Sequence, residues 1–258
     1  MKNKWSLLFI VFFTAIIFNA CKSSNSVGPT NNTGVNAAYF PNKDGDYYVY
    51  SIHSTDSTGG TITGTRSATY SGSSAVNGIT YQNEIDSLSF GLATQVNISY
   101  FLVSGDSVFF GLDTTGLYKL IPDSVKPYIS IDSRLKVFVL GFQSNSNWDV
   151  FNLGLNFGTY SVPIINVHAN YAGNEPITLN LTNGQSNQTA AKINFVLKLS
   201  FPGYATTQYS ATAWLVQNIG VVKWQGNGAV FSAFSGGGVN LADTTTTVTE
   251  TLLSYSVK

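Results

Sequence analysis

Strict two-residue alternation over Lys192–Phe201 constrains this chain more than any other feature. Ile193, Phe195, Leu197, Leu199 and Phe201 fall on one parity, and Lys192, Asn194, Val196, Lys198 and Ser200 on the other. Only an extended strand sorts such residues onto opposite faces. Ile177, Leu179 and Leu181 alternate with Thr178, Asn180 and Thr182 in the same way. So do Tyr48, Tyr50 and Ile52 against Tyr47, Val49, Ser51 and His53, and Ile98, Tyr100 and Leu102 against their neighbours. Leu253, Tyr255 and Val257 carry the pattern almost to the last residue, which predicts a C-terminus tied into a sheet. No segment after Cys21 sustains a 3.6-residue apolar period, apart from a candidate helical turn near Pro122–Pro127.

One apolar and one polar face per strand marks antiparallel sheet with a solvated side. The turns agree. Asn77-Gly78 and Asn183-Gly184 are hairpin signals, and Gly226-Asn227-Gly228 reads as a further turn. Asp precedes Ser at Asp56, Asp86, Asp106, Asp123 and Asp132, a pairing that favours corners. Many strands without helices must hide their edges. The predicted fold is therefore all-β: an antiparallel curved sheet forming a half-barrel or barrel, or alternatively a β-sandwich. Trp148 and Trp224 are candidates to plug its core.

Composition narrows the function. Only 10% of the 258 residues are charged, which excludes a basic nucleic-acid binder. A hydrophobic share of 43% excludes a disordered chain. One Cys excludes a disulfide framework or a thiolate metal cluster.

The N-terminus reads as an address. Lys2 and Lys4 precede an apolar run, Leu7–Phe18, too short for the ~20 residues of a membrane-spanning helix. Residues 1–20 are thus a signal peptide. The sole Cys follows at once, and Phe18-Asn19-Ala20-Cys21 resembles a bacterial lipobox. That resemblance implies cleavage before Cys21 and acylation of its thiol, with membrane lipid as the partner held through Cys21. Loss of Lys2 and Lys4 leaves 11 basic and 13 acidic side chains, a net charge of −2, too weak to steer a charged partner. Residues 21–37 are rich in Ser, Asn, Gly and Thr and form a tether, and residues 38–258 form one β-rich domain. No acidic cluster follows Cys21, so the expected location is the cell envelope, lipid-anchored in the outer membrane and facing the periplasm.

Tyr39-Phe40-Pro41-Asn42-Lys43-Asp44-Gly45-Asp46-Tyr47-Tyr48-Val49-Tyr50 resembles the opening of uncharacterised Bacteroidota-like lipoproteins. Ile219–Lys223 followed by Leu252–Tyr255 resembles their closing pair of strands. The class is similar in layout to lipoprotein-carrier half-barrels, which implies an apolar cavity.

Candidate chemistry is thin. His53 and His168 lie in strand-like stretches, and no G-x-S-x-G elbow accompanies them. Asn42, Asp44 and Asp46 mimic the start of a calcium loop, but Tyr47 and His53 stand where Gly and Glu are needed. Glu84 and Asp86 share a strand face, as two glycosidase carboxylates could, yet acids near turns are usually solvated. Trp148, Trp214 and Trp224 are candidate sugar platforms, with core packing the commoner use of such rings. No catalytic residue, metal or cofactor is assigned. The expected function is non-enzymatic binding or carriage of a hydrophobic small molecule or envelope ligand. The alternative is a structural or adhesive lipoprotein that contacts glycans or proteins. A hydrolase built on His53 or His168 comes third.

Overall fold

The computed structural model describes residues 38–91, 93–112, 123–200, 205–230 and 245–258. The expected signal peptide, Cys21, the expected tether and the Gly236–Gly238 run lie outside them. The first strands are β1 (Tyr47–Thr55), β2 (Thr61–Val76), β3 (Ile79–Phe90), β4 (Ala93–Ser104) and β5 (Ser107–Gly111). A 3₁₀ turn at Lys126–Tyr128 leads into β6 (Ile129–Ile131), β7 (Arg134–Val139) and β8 (Asn147–Phe157). The longest hairpin follows, β9 (Tyr160–Leu181) with β10 (Gly184–Leu199). The chain ends with β11 (Thr207–Val216), β12 (Gly220–Asn227) and β13 (Thr247–Ser256).

All thirteen strands join one antiparallel sheet in the order β6-β8-β9-β10-β11-β12-β13-β1-β2-β3-β4-β5-β7. The sheet curves but does not close, so neither a complete barrel nor a sandwich forms. Its two terminal strands, β6 and β7, are consecutive in sequence, which brings the edges together. Side chains bridge the seam where the ladder stops. The Trp148 indole donates to the Lys136 carbonyl at 3.0 Å. The Asn152 amide donates to the Asp132 carboxylate at 2.8 Å. Such caps give edge groups the partners that a further strand would supply.

The expected hairpins form. Asn77 and Gly78 both take positive φ, 52° and 78°, as a two-residue I′ turn requires. Gly226 does not turn the chain. It lies inside β12, where a side chain would run into the backbone of Ala211 on β11. The C-terminus is fixed as expected, since β13 pairs with β1 and the Lys258 amide donates to Asp46 at 2.9 Å.

The concave side is packed with the alternating residues of β10, Ile193, Phe195 and Leu197, all buried. Phe195 meets Trp224 at 5.1 Å and Phe138 at 6.0 Å between ring centres. On β1, Tyr48, Tyr50 and Ile52 point inward as the sequence predicts. On β4 the predicted face is reversed, with Ser99 and Phe101 buried while Ile98 is exposed. On β13 Glu250 and Leu252 are buried, and an irregularity opposite Val49 and Tyr50 shifts the parity, so that Tyr255 pairs with Tyr48 and Val257 packs against the core.

Candidate functional site

That reversal has a cause inside the fold. Arg66 sits mid-β2 with its side chain on the concave face. Register places it opposite Tyr50 on β1 and Leu88 on β3. Glu84 and Asp86 share the buried face of β3, and Glu250 reaches in from β13. All three carboxylates converge on the one guanidinium. Glu250 grips it in bidentate fashion, accepting from Nε at 2.6 Å and Nη2 at 2.9 Å. Nη1 donates to Asp86 at 2.6 Å and to Glu84 at 3.2 Å. The guanidinium also lies 4.4 Å from the centre of the Tyr50 ring.

This polar layer divides the interior. Ile52, Leu88 and Val248 form a small apolar cluster on one side. The main core, including Tyr48, Tyr70 and Phe101, lies on the other. Burial works against the Arg66 charge, but Glu250 and then Asp86 outweigh it and hold its pKa well above the ordinary value. Asp86 is pushed well up, first by burial and then by the Glu84 charge, with Arg66 opposing. Tyr50 and Tyr70 are likewise raised, chiefly by burial, so both remain neutral phenols. Their hydroxyls are used: Tyr50 donates to the Val221 carbonyl at 2.9 Å, and Tyr70 bonds Glu84.

A carboxyl whose folded pKa exceeds its unfolded one contributes stability below the unfolded pKa, near ~3.9 for Asp, and loses it as pH rises through the folded pKa. Stability should therefore fall from acid toward neutral pH on account of Asp86. Asp86→Asn keeps an acceptor for Arg66 and should flatten that slope. Urea midpoints between pH 4 and 8 for both proteins check it, and parallel curves would refute it.

Beside the layer lies a partly open cavity of about 60 Å³, lined by Phe40, Tyr48, Tyr50, Tyr70, Trp224 and their neighbours together with Arg66, Glu84 and Glu250. A water needs ~10–15 Å³, so it has room for a few small molecules of that size. It falls far short of the ~300–1,000 Å³ typical of drug-sized ligand sites.

The residues singled out in the sequence scatter over the fold. His53 is exposed on β1. His168 on β9 lies 3.1 Å from Asp149 on β8, with both side chains well exposed. Neither lines the cavity. Asp46 is fully buried as a turn acceptor, taking the Lys43 amide at 2.8 Å, and Asp44 accepts from the Gly72 amide at 2.9 Å. Among the described residues no group of His, Cys, Asp and Glu could hold a metal ion. Trp148, Trp214 and Trp224 are each only 7% exposed, so they are core and not platforms. The Trp214 indole donates to Glu175, with Lys223 4.6 Å from the ring centre.

Glu84 and Asp86 do share a face, but a buried one. Arg66 and Glu250 are the members that sequence reasoning missed. Their signal is present nonetheless. Between Tyr47 and Ser104 the only Lys, Arg, Asp or Glu besides Asp56 are Arg66, Glu84 and Asp86, all mid-strand.

No protein-family model and no curated relative matches this chain. Three crystal structures do align with it. One is described as a "putative exported protein with YmcC-like fold" from Bacteroides fragilis, at 11% identity and a TM-score of 0.45, over 84% of this chain and 98% of that one. Another is a "putative lipoprotein" from Parabacteroides distasonis, at 11% identity and a TM-score of 0.40, over 84% and 98%. A third is the "hypothetical lipoprotein YmcC" from Escherichia coli, at 12% identity and a TM-score of 0.33, over 82% and 86%.

Proposed function

We propose that this protein is a lipid-anchored protein of the cell envelope that acts by non-covalent contact and catalyses no reaction. Cys21, the sole cysteine, at the end of the apolar Leu7–Phe18 run, supports the anchor. Acylation adds about 0.8 kcal/mol of membrane affinity per buried methylene. The outer membrane, facing the periplasm, is the location that goes with it.

The observation that carries the contact reading is the outer face of β1–β4. Its outward positions hold no Lys, Arg, Asp or Glu. They expose Tyr47, Ile85, Val96 and Ile98, the last 40% and Val96 63% accessible. Register makes the patch contiguous. Ile85 pairs with Ile98 and Ser87 with Val96, while Thr69 sits between Ile85 and Tyr47. Solvated sheet faces ordinarily carry charge, and a contiguous apolar patch marks an interaction surface. The cavity among the described residues, about 60 Å³, is too small for a fatty chain and lends no support to an acyl-chain carrier.

A photo-crosslinking residue at Val96 should give one discrete adduct in cells, lost when Ile98 is changed to Lys. The same residue at Asn180, exposed on β9, should give none. Matching diffuse patterns at both positions would refute the reading.

A further inference from the structure

The β8–β9 hairpin projects from one end of the sheet. Its pairing with β10 stops where Ile165 meets Leu199, while β8 and β9 stay paired as far as Phe157 and Tyr160. Residues 160–163 thus run past the last β10 pair, and Gly158, at a φ of 63°, turns the chain at their end. On the other side β6 pairs with β8 only as far as Leu155, opposite Ile129.

The projecting end carries rings. Phe157 and Tyr160 face each other across the turn and are 49% and 77% exposed. Tyr128 is 44% exposed and stacks on Phe157, with 5.3 Å between ring centres. Residues opposite in a ladder share a face, as do residues two apart on one strand. Ile129, Leu155 and Val162 therefore form a second row behind the rings, on the same face and half-buried.

Charge is missing from the hairpin. Residues 150–167 include no Lys, Arg, Asp or Glu. Lys126, two residues before Tyr128, is neutralised by Asp123 at 2.6 Å. A free strand end that stands in water ordinarily carries charge. A sugar platform would set hydrogen-bonding amides beside the rings, but Asn156 and Ser161 oppose each other on the other face. Rings outermost, aliphatic side chains behind them and no charge to desolvate fit the boundary between lipid headgroups and acyl chains, where Tyr rings concentrate.

We propose that the β8–β9 tip is a second membrane contact, with Phe157, Tyr160 and Tyr128 entering the headgroup boundary of the bilayer that holds Cys21. The choice of that bilayer rests on the lipid-anchor reading above. Residues 21–37 can span at most roughly 60 Å. They join the domain at Ala38, whose carbonyl accepts from the Asn218 amide in the β11–β12 turn. That turn is at the opposite end of the strands, roughly 45 Å from the tip by strand rise. The domain can therefore lie along the surface with both ends in reach, and the anchor makes the tip contact intramolecular. Four strands separate β9 from β1, so the tip does not overlap the outer face of β1–β4.

The test uses full-length, detergent-extracted protein reconstituted into phosphatidylcholine vesicles. Dansylalanine replaces either Thr159, in the turn between the rings, or Asn180, at the other end of β9. Lipid spin-labelled near its headgroup should quench the dansyl group at position 159 at least twofold more than at position 180. Phe157→Ser combined with Tyr160→Ser should remove that excess. Both side chains are exposed, and urea midpoints confirm that the double variant is folded. Vesicle flotation is read separately, and the double variant should still float, because the acyl chains on Cys21 hold it. Flotation lost in the double variant would uphold the tip contact and refute the anchor. Floating protein with equal quenching at the two positions, or excess quenching that survives the double substitution, would overturn the proposal and leave the anchor standing. A dansyl group at 159 shielded from aqueous iodide yet not quenched by lipid would identify a protein partner for the rings and would also overturn it. Protein that floats in neither form would overturn both.

Discussion

Arg66→Met should destabilise the domain by about 3–5 kcal/mol at pH 7, the range for breaking a buried ion pair from one side. Domains of this kind have only ~5–15 kcal/mol in all, so much of the protein should be unfolded. The physical reason is the company Arg66 keeps. Glu250 and Asp86 are 0% and 1% exposed, and the guanidinium supplies hydrogen bonds to both. Without it their charges stay buried and unpaired. Acid should rescue the variant by protonating the carboxylates, so its stability should rise steeply toward pH 4. Replacing Arg66, Glu84, Asp86 and Glu250 together by apolar residues of similar size should recover most of the loss, because no orphaned charge of the layer remains. Chemical denaturation of the single and quadruple variants distinguishes this account from a simple packing defect, which acid would not repair.

Phe195→Ala should cost about 3–5 kcal/mol, whereas Ile98→Ala should stay within ~0.5 kcal/mol. Both residues belong to clean alternating runs, and the runs alone make them look alike. Phe195 is 0% exposed between Phe138 and Trp224, and Ile98 is 40% exposed on the outer face. Urea denaturation of the two variants measures the difference. Equal losses would mean that the outer face of β4 is covered in the isolated protein.

That contrast marks how far the residues alone could lead. Alternation reveals a strand and its two faces, and it does so for β1, β9, β10 and the hairpins at Asn77 and Asn183. It does not say which face is inside. The usual rule, apolar in and polar out, holds for Ile193, Phe195 and Leu197. It fails at Ser99 and Glu250, because the inner face there meets the Arg66 layer, Glu250 bonding the guanidinium and Ser99 lying opposite Glu84. Which carboxylates meet Arg66 is a matter of tertiary register, with Glu250 lying 184 residues away along the chain. Asp86 was misleading for a related reason. Asp-Ser suggests a corner, and Asp56 does take the Thr58 and Gly60 amides at 2.8 Å each in a turn. Asp86 is held in mid-strand instead, where Arg66 provides the partner that a turn backbone would otherwise offer. The scarcity of charge was the usable clue. A chain with 10% charged residues that sets Arg66, Glu84 and Asp86 in neighbouring strands is placing them for one another.

The functional reading depends on Cys21, and the intact mass of protein extracted from membranes tests it most directly. Loss of residues 1–20 together with added glyceride and acyl mass on Cys21 is the expected result. A chain that still begins at Met1, or one cut elsewhere with an unmodified thiol, would contradict it.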